Sequence, residues 1–155
     1  MYDIFKNKII IVTGSTGFKG SWLCFWLKKL GAKVVGISEK IPTTPSNYET
    51  ISNRLDITDL RLNISDKASV CEAVNEHQPD FVFHLAAQAL VSHSYEYPLK
   101  TFETNALGSV NVLEVLRTLK KLCTHPQGVL SQKRHSIKHM LRVKLLLFHS
   151  IWTAL

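Results

Sequence analysis

Residues 8–30 decide how the rest of the chain is read. They run Lys8-Ile9-Ile10-Ile11-Val12-Thr13, then Gly14-Ser15-Thr16-Gly17-Phe18-Lys19-Gly20, then Ser21-Trp22-Leu23-Cys24-Phe25-Trp26-Leu27-Lys28-Lys29-Leu30. The first segment is a short apolar run rich in β-branched residues, the pattern of a buried strand. The second is a glycine-rich turn. The third is an apolar segment of helix length, and Gly31 behind it suits a helix C-cap.

A strand, a three-glycine turn and a helix in that order form the unit that opens a dinucleotide-binding βαβ fold. Gly14 lets the chain leave the strand in a tight turn. Gly17 has no Cβ, so backbone can approach a pyrophosphate. Gly20 lets the helix pack close to the strand. The unpaired N–H groups and partial positive charge of the helix start suit phosphates. The spacing is G-x-x-G-x-x-G, and its place between strand and helix is what gives it weight.

Composition sets the outer bounds. The chain has 155 residues, enough for one domain with a core. No run is long enough to span a membrane, and the start, Met-Tyr-Asp-Ile-Phe-Lys, does not read as a signal peptide. Cys24, Cys71 and Cys123 are scattered and odd in number, which favours free thiols in a reducing cytoplasm. The net charge of +7 conceals an asymmetry. All 12 acids lie at or before Glu114 and face 11 Lys and Arg there, a net of −1; the last 41 residues hold 8 Lys and Arg and no acid. A near-neutral body therefore carries a basic tail.

Within the body, residues 33–38 read as a second strand. An acid at its end would bind the adenosine ribose in this fold; Ser38 holds that position, with Glu39 beside it as a candidate and, equally, as a solvated loop residue. Residues 41–59 read as a long loop rich in Pro, Thr, Ser and Asn. A short third strand is expected at residues 60–64, then a helix at 67–77 capped by Ser65 or Asp66, with Val70, Ala73 and Val74 on one face. Residues 81–85 form the fourth strand and run into Ala86-Ala87-Gln88, small residues that leave room at a sheet crevice. His84, inside the apolar strand, reads as a hydrogen-bonded core histidine; His93 reads as a loop residue. One long helix is expected over residues 99–122, with Phe102, Asn105, Ser109, Leu113, Leu116 and Leu119 facing inward. Asn105 on that face must be hydrogen-bonded, which makes it a support for the site. The fold class is α/β: a partial NAD(P)-binding Rossmann fold, a doubly wound parallel sheet truncated after about four strands.

These stretches resemble the extended short-chain dehydrogenase/reductase family. The resemblance rests on residues 12–23, on His84-Leu85-Ala86-Ala87-Gln88-Ala89-Leu90-Val91, on Ser94-Tyr95-Glu96-Tyr97-Pro98 and on Thr104-Asn105, and covers about residues 7–122. Phe18-Lys19-Gly20-Ser21-Trp22, Pro42-Thr43-Thr44-Pro45 and Gln78-Pro79-Asp80 are most similar to its CDP-glucose 4,6-dehydratase branch, with the GDP-mannose 4,6-dehydratases as the alternative. The resemblance implies an NAD-dependent lyase that turns a CDP-hexose into a 4-keto-6-deoxy sugar, as in lipopolysaccharide O-antigen biosynthesis, and a homo-oligomer formed through Rossmann-domain helices. It implies cofactor contacts from Gly14, Thr16, Gly17, Phe18, Lys19 and Gly20, from Asn63 and Ile64 on the adenine side, from Ala86, Ala87 and Gln88 on the ribose side, and from Asn105. It also exposes departures. Ser15 stands where relatives often carry His, and Ser92-His93 where they tend to carry Arg-Leu. The Thr-Ser-Asp-Lys-like stretch and the Tyr-x-x-x-Lys expected after the long helix do not follow it, so no catalytic residue is assigned and the chain is expected to hold cofactor motifs without turnover. A stand-alone nucleotide-binding or interaction module with a basic tail is the alternative.

Residues 123–155 read as a tail unrelated to the family. Lys133, Arg134, Lys138, Arg142 and Lys144 could meet nucleic acid, residues 140–155 a membrane surface, and Cys123, His125, His135 and His139 a metal. The preferred reading is none of these: a change of reading frame near Leu122 accounts together for the lost motifs and the charge swing.

Overall fold

The computed structural model describes residues 3–119 of the chain. After a 3-10 turn at Asp3–Phe5 the elements are β1 (Ile9–Thr13), α1 (Phe18–Lys29), β2 (Lys33–Ile37), α2 (Asn47–Ile51), a 3-10 turn (Ser52–Arg54), β3 (Thr58–Leu60), α3 (Lys67–His77), β4 (Phe81–His84), α4 (Val91–Glu96), α5 (Pro98–Phe102), a π-helical turn (Glu103–Leu107) and α6 (Gly108–Thr118). The four strands form one parallel sheet in the order β3-β2-β1-β4.

The β1 sequence dictates two covered faces. Side chains alternate across a strand, so Ile10 and Val12 fall on one side and Ile11 on the other. Ile10, Val12 and Val34 pack with Cys24, Leu27, Tyr48 and Leu55 beneath α1 and α2. Ile11, Val35 and Ile37 pack with Val70, Ala73 and Val74 of α3 and Val112 and Val115 of α6. Helices on both faces make the sheet doubly wound, as the sequence indicates. The path runs outward from β1 to β3 and then returns to the far side of β1 as β4. The crevice between the carboxyl ends of β1 and β4 is therefore the topological switch point.

Several expectations need correction. The third strand is Thr58–Leu60, not residues 60–64, because Thr58, Asp59 and Leu60 pair with Val35, Gly36 and Ile37. Beyond it Asn63 Oδ1 accepts from Ser65 N at 2.8 Å and turns the chain away from the sheet. The 41–59 loop contains α2, whose start is a capping box: Ser46 Oγ accepts from Glu49 N and Glu49 Oε2 from Ser46 N. His93 lies in α4, not in a loop. The helix expected over 99–122 is α5, the π turn and α6 in succession; it stops at Thr118, with Leu119 extended. The wider π turn rotates α5 about the helix axis relative to α6. The buried face of α6 is Gly108, Val112 and Val115, with Leu119 behind them, rather than the expected Ser109, Leu113 and Leu116, which are half-buried, and Phe102 is 59% exposed. Asp66, rather than Ser65, caps α3, accepting from Ala68 N and Ser69 N. The tail readings at 123–155 lie outside the described residues.

Candidate functional site

The glycine turn sits at the carboxyl end of β1 and packs against the carboxyl end of β4. Gly14 has φ +73°, a conformation L side chains rarely adopt, and a Cβ on it would stand 2.7 Å from Ala86 N. A Cβ on Gly20 would stand 2.0 Å from Gly14 O, so the first turn of α1 rests directly on the turn that feeds it. Both findings match the roles read from the sequence. Gly17 caps α1 with extended geometry and no side-chain cap, and no acid lies in the first turn. The N–H groups of that turn are thus left to an external acceptor.

The remaining candidates divide by environment. Phe18 and Lys19 are exposed on the first turn of α1. Thr16 is a brace: its hydroxyl donates to Lys40 O at 2.7 Å and its N–H to Ser38 Oγ at 3.2 Å. Ser38, at the position of the sought acid, is buried and also lies 3.1 Å from Ser15 Oγ. Ser15, fully buried, fills the slot over Gly36, where a Cβ would come within 2.7 Å of the serine oxygen. Glu39 is exposed. Asn63 stands at the turn after β3, whereas the Ile64 side chain is in the core against Gly108, and Asn111 Nδ2 donates to Ile64 O and Ser65 O. Ala86, Ala87 and Gln88 lead away from β4. Asn105 grips Gln88 twice, accepting from its N–H at 2.7 Å and donating to its carbonyl at 3.1 Å. That is the hydrogen-bonded support the sequence called for.

His84 is a core histidine, as read: it is 3% exposed, lies 2.6 Å from Thr13 Oγ1 and 3.0 Å from Ser109 Oγ, and burial pushes its pKa down to about 4. Sequence reading misses Thr13 and Asn111 as site supports and places Ser109 only as an inward-facing helix position. The available signal was a polar residue closing an apolar strand and two more on the inner side of a helix.

A dinucleotide fits these residues on two observations. The glycine turn is a cradle that side chains would fill. The Oε1 of Gln88 is buried without a protein partner, while its Nε2 donates to Leu90 O; a buried acceptor in that state suits a ligand hydroxyl. The four tyrosines include one Tyr-x-x-x-Lys spacing, Tyr2 and Lys6. It precedes β1 rather than coming after the long helix, and Tyr2 lies outside the described residues. A hollow lined by Ile9, Lys28, Lys33, Asp56 and His77 lies at the opposite, amino end of the strands and is separate from this crevice.

The comparisons agree with the geometry. The family profile described as GDP-mannose 4,6 dehydratase matches residues 11–128. The chain is 40% identical over 116 residues to a CDP-glucose 4,6-dehydratase of Salmonella typhimurium, an alignment covering 74% of this chain and 32% of that one. It is 30% identical over 124 residues to a GDP-mannose 4,6-dehydratase of Vibrio cholerae, covering 74% and 32%. The UDP-glucose 4-epimerase of Thermus thermophilus, solved in complex with NAD, superposes with a TM-score of 0.62 at 33% identity, covering 72% of this chain and 34% of that one. The chain spans about a third of the length of the curated relatives it matches. With the profile covering most of the chain and the sheet, switch point and glycine turn in place, the chain belongs to the GDP-mannose 4,6 dehydratase family, among the nucleotide-sugar dehydratases and epimerases.

Proposed function

We propose that this chain is the cofactor-holding part of an NAD-dependent nucleotide-sugar 4,6-dehydratase of the CDP-glucose type. The observation that carries the cofactor assignment is the contact of the glycine turn with the Ala86 turn across the switch point, with an unpartnered Gln88 Oε1 beside it. The CDP-glucose assignment is supported by the 40% identity to that dehydratase. Gly14, Gly17 and Gly20, with the backbone of Phe18 and Lys19, receive the pyrophosphate, and Thr16 holds the turn in place through Ser38 and Lys40. Asn63 and the backbone at Ile64 border the adenine. Ala86, Ala87 and Gln88, held by Asn105, border the nicotinamide ribose.

In the whole enzyme the bound dinucleotide supplies a reversible hydride acceptor, through which a hexose oxidised at C4 can lose water from C5 and C6 and be reduced at C6. This chain contributes binding and orientation; a proton acceptor for the C4 hydroxyl is not assigned to it. We further propose that the family pattern gives out between Leu122 and the end of the profile match at residue 128 and that the residues after it are a shifted frame, on their loss of acids; translating the other frames of the DNA beyond that point should reveal Tyr-x-x-x-Lys. The exposed Leu99, Phe102, Leu107 and Val110 support a homo-oligomer formed through α5 and α6. The unpaired Cys24 and Cys71 support a cytoplasmic location.

Calorimetric titration of the full chain with NAD+, alongside an assay of CDP-glucose turnover, tests the core of this reading. Binding without turnover is the expected outcome. A folded chain with no affinity for NAD+ would sink it.

A further inference from the structure

A buried polar relay joins the glycine turn to the Gln88 turn from behind the crevice. Leu85 N–H and Ala86 N–H each donate to Thr13 Oγ1 at 3.2 Å. Thr13 Oγ1 lies 2.6 Å from His84 Nδ1, and His84 Nε2 lies 3.0 Å from Ser109 Oγ. The Ser109 hydroxyl donates to Asn105 O at 2.6 Å, and the Asn105 amide closes on the Gln88 backbone.

Counting protons fixes the direction of every bond. Ser109 has one hydroxyl proton, and it goes to Asn105 O. The bond between Ser109 and His84 must then be donated by His84 Nε2–H. A neutral imidazole has its other nitrogen bare, so Nδ1 accepts the Thr13 proton. The Thr13 lone pairs remain for the two amides. One tautomer and one orientation of each hydroxyl satisfy the whole relay, and it ties β1, β4, the π turn and the start of α6 to one another.

We propose that His84 is a positioning residue for the dinucleotide: through Ser109 and Asn105 it sets the Gln88 turn, with its unpartnered Oε1, at a fixed height against the glycine turn. This rests on the crevice being the NAD site. Ser109 is the place to cut the relay, since its bonds run to His84 and Asn105 and away from the crevice. Ser109→Ala in the full chain should weaken NAD+ binding about tenfold, the loss of roughly one buried hydrogen bond. Ser109→Thr keeps the hydroxyl and should restore affinity. Asn105→Ala should weaken binding too, and adding Ser109→Ala to it should cost little more, because both cut one path. Val115→Ala, a core truncation on the same helix, should lower stability and leave affinity alone.

Independent, multiplying losses from Ser109→Ala and Asn105→Ala, or an affinity that simply tracks stability across all five variants, would overturn the proposal. Nitrogen-15 spectra of the imidazoles give a check without ligand: His84 should carry its proton on Nε2, and a proton on Nδ1 would break the relay. If the unmutated chain binds no NAD+, the crevice reading fails on its own. The relay is still decided, because Ser109→Ala should speed exchange of the Gln88 amide by more than its loss of global stability accounts for, and Val115→Ala should not.

Discussion

Gly17 and Gly20 lie three residues apart and differ in what a methyl group would meet. A Cβ on Gly20 falls 2.0 Å from a backbone oxygen that cannot swing aside, whereas one on Gly17 meets Gly14 O at 3.3 Å. Gly20→Ala should therefore destabilise the fold by about 3 kcal/mol, the upper range for overpacking a tight site, seen as a lower urea midpoint. Gly17→Ala should cost only about 1 kcal/mol as a helix-cap change, yet weaken NAD+ binding strongly if the glycine turn receives the pyrophosphate as proposed, because the methyl would then stand in its way. His84 makes a second residue-scale prediction. Burial lowers its pKa from the ordinary 6.5 to about 4. Between those values the unfolded chain takes up a proton that the folded chain refuses, so stability is full above pH 6.5 and falls as pH drops towards 4. The loss is about 3 kcal/mol, and His84→Asn should flatten that part of the profile. Asp66 and Glu114, held below the ordinary carboxylate range by hydrogen bonds from Ser69 and Arg117, lose their contribution at the acid end of this window and below.

The elements show where local signals suffice and where they do not. Val70, Ala73 and Val74 line the buried side of α3, and the helix begins and ends where its 3.6-residue period and the Asp66 cap place it. The α2 helix also announces itself, in Ser46-Asn47-Tyr48-Glu49, but the surrounding Pro, Thr and Ser mask so short a signal. Its cap is open to test: Ser46→Ala removes the acceptor for Glu49 N and should cost about 1 kcal/mol, with faster amide exchange confined to α2. The segment from α5 to α6 behaves differently. The sequence reading puts Phe102, Leu113 and Leu116 inward, whereas the buried positions are Gly108, Val112 and Val115 and Phe102 is exposed just ahead of the π turn at Glu103–Leu107. That turn sets Asn105 against Gln88 while Gly108, Val112 and Val115 keep their grip on α3 and the sheet.

At the scale of the molecule, β4 pairs with β1 on one side and with no further strand among the described residues. Leu99, Phe102, Leu107 and Val110 add exposed apolar surface along the neighbouring helices. Surface of that kind associates in water unless it is covered. Sedimentation of the full chain should show concentration-dependent association through α5 and α6, and Leu107→Lys with Val110→Lys should shift it to smaller species. An unchanged distribution would place the contact elsewhere.

Order along the chain was enough to reveal the strand–turn–helix start, the parallel α/β class, the four strands and the α3 face. Each of these depends on residues close in sequence: a β-branched run, three glycines, a helical period. The same reading placed Gly14 and Gly20 correctly, because tight turns and close approaches admit few residue types. Only the tertiary structure moved β3 back to Thr58–Leu60, since register is chosen by the partner strand. It also turned Thr16 and Ser38 into braces and put the Ile64 side chain in the core. It brought Thr13, His84, Ser109 and Asn105 into one relay across more than ninety residues of chain. Local sequence shows no such link, because each member is an ordinary polar residue until folding removes the water that would otherwise satisfy it.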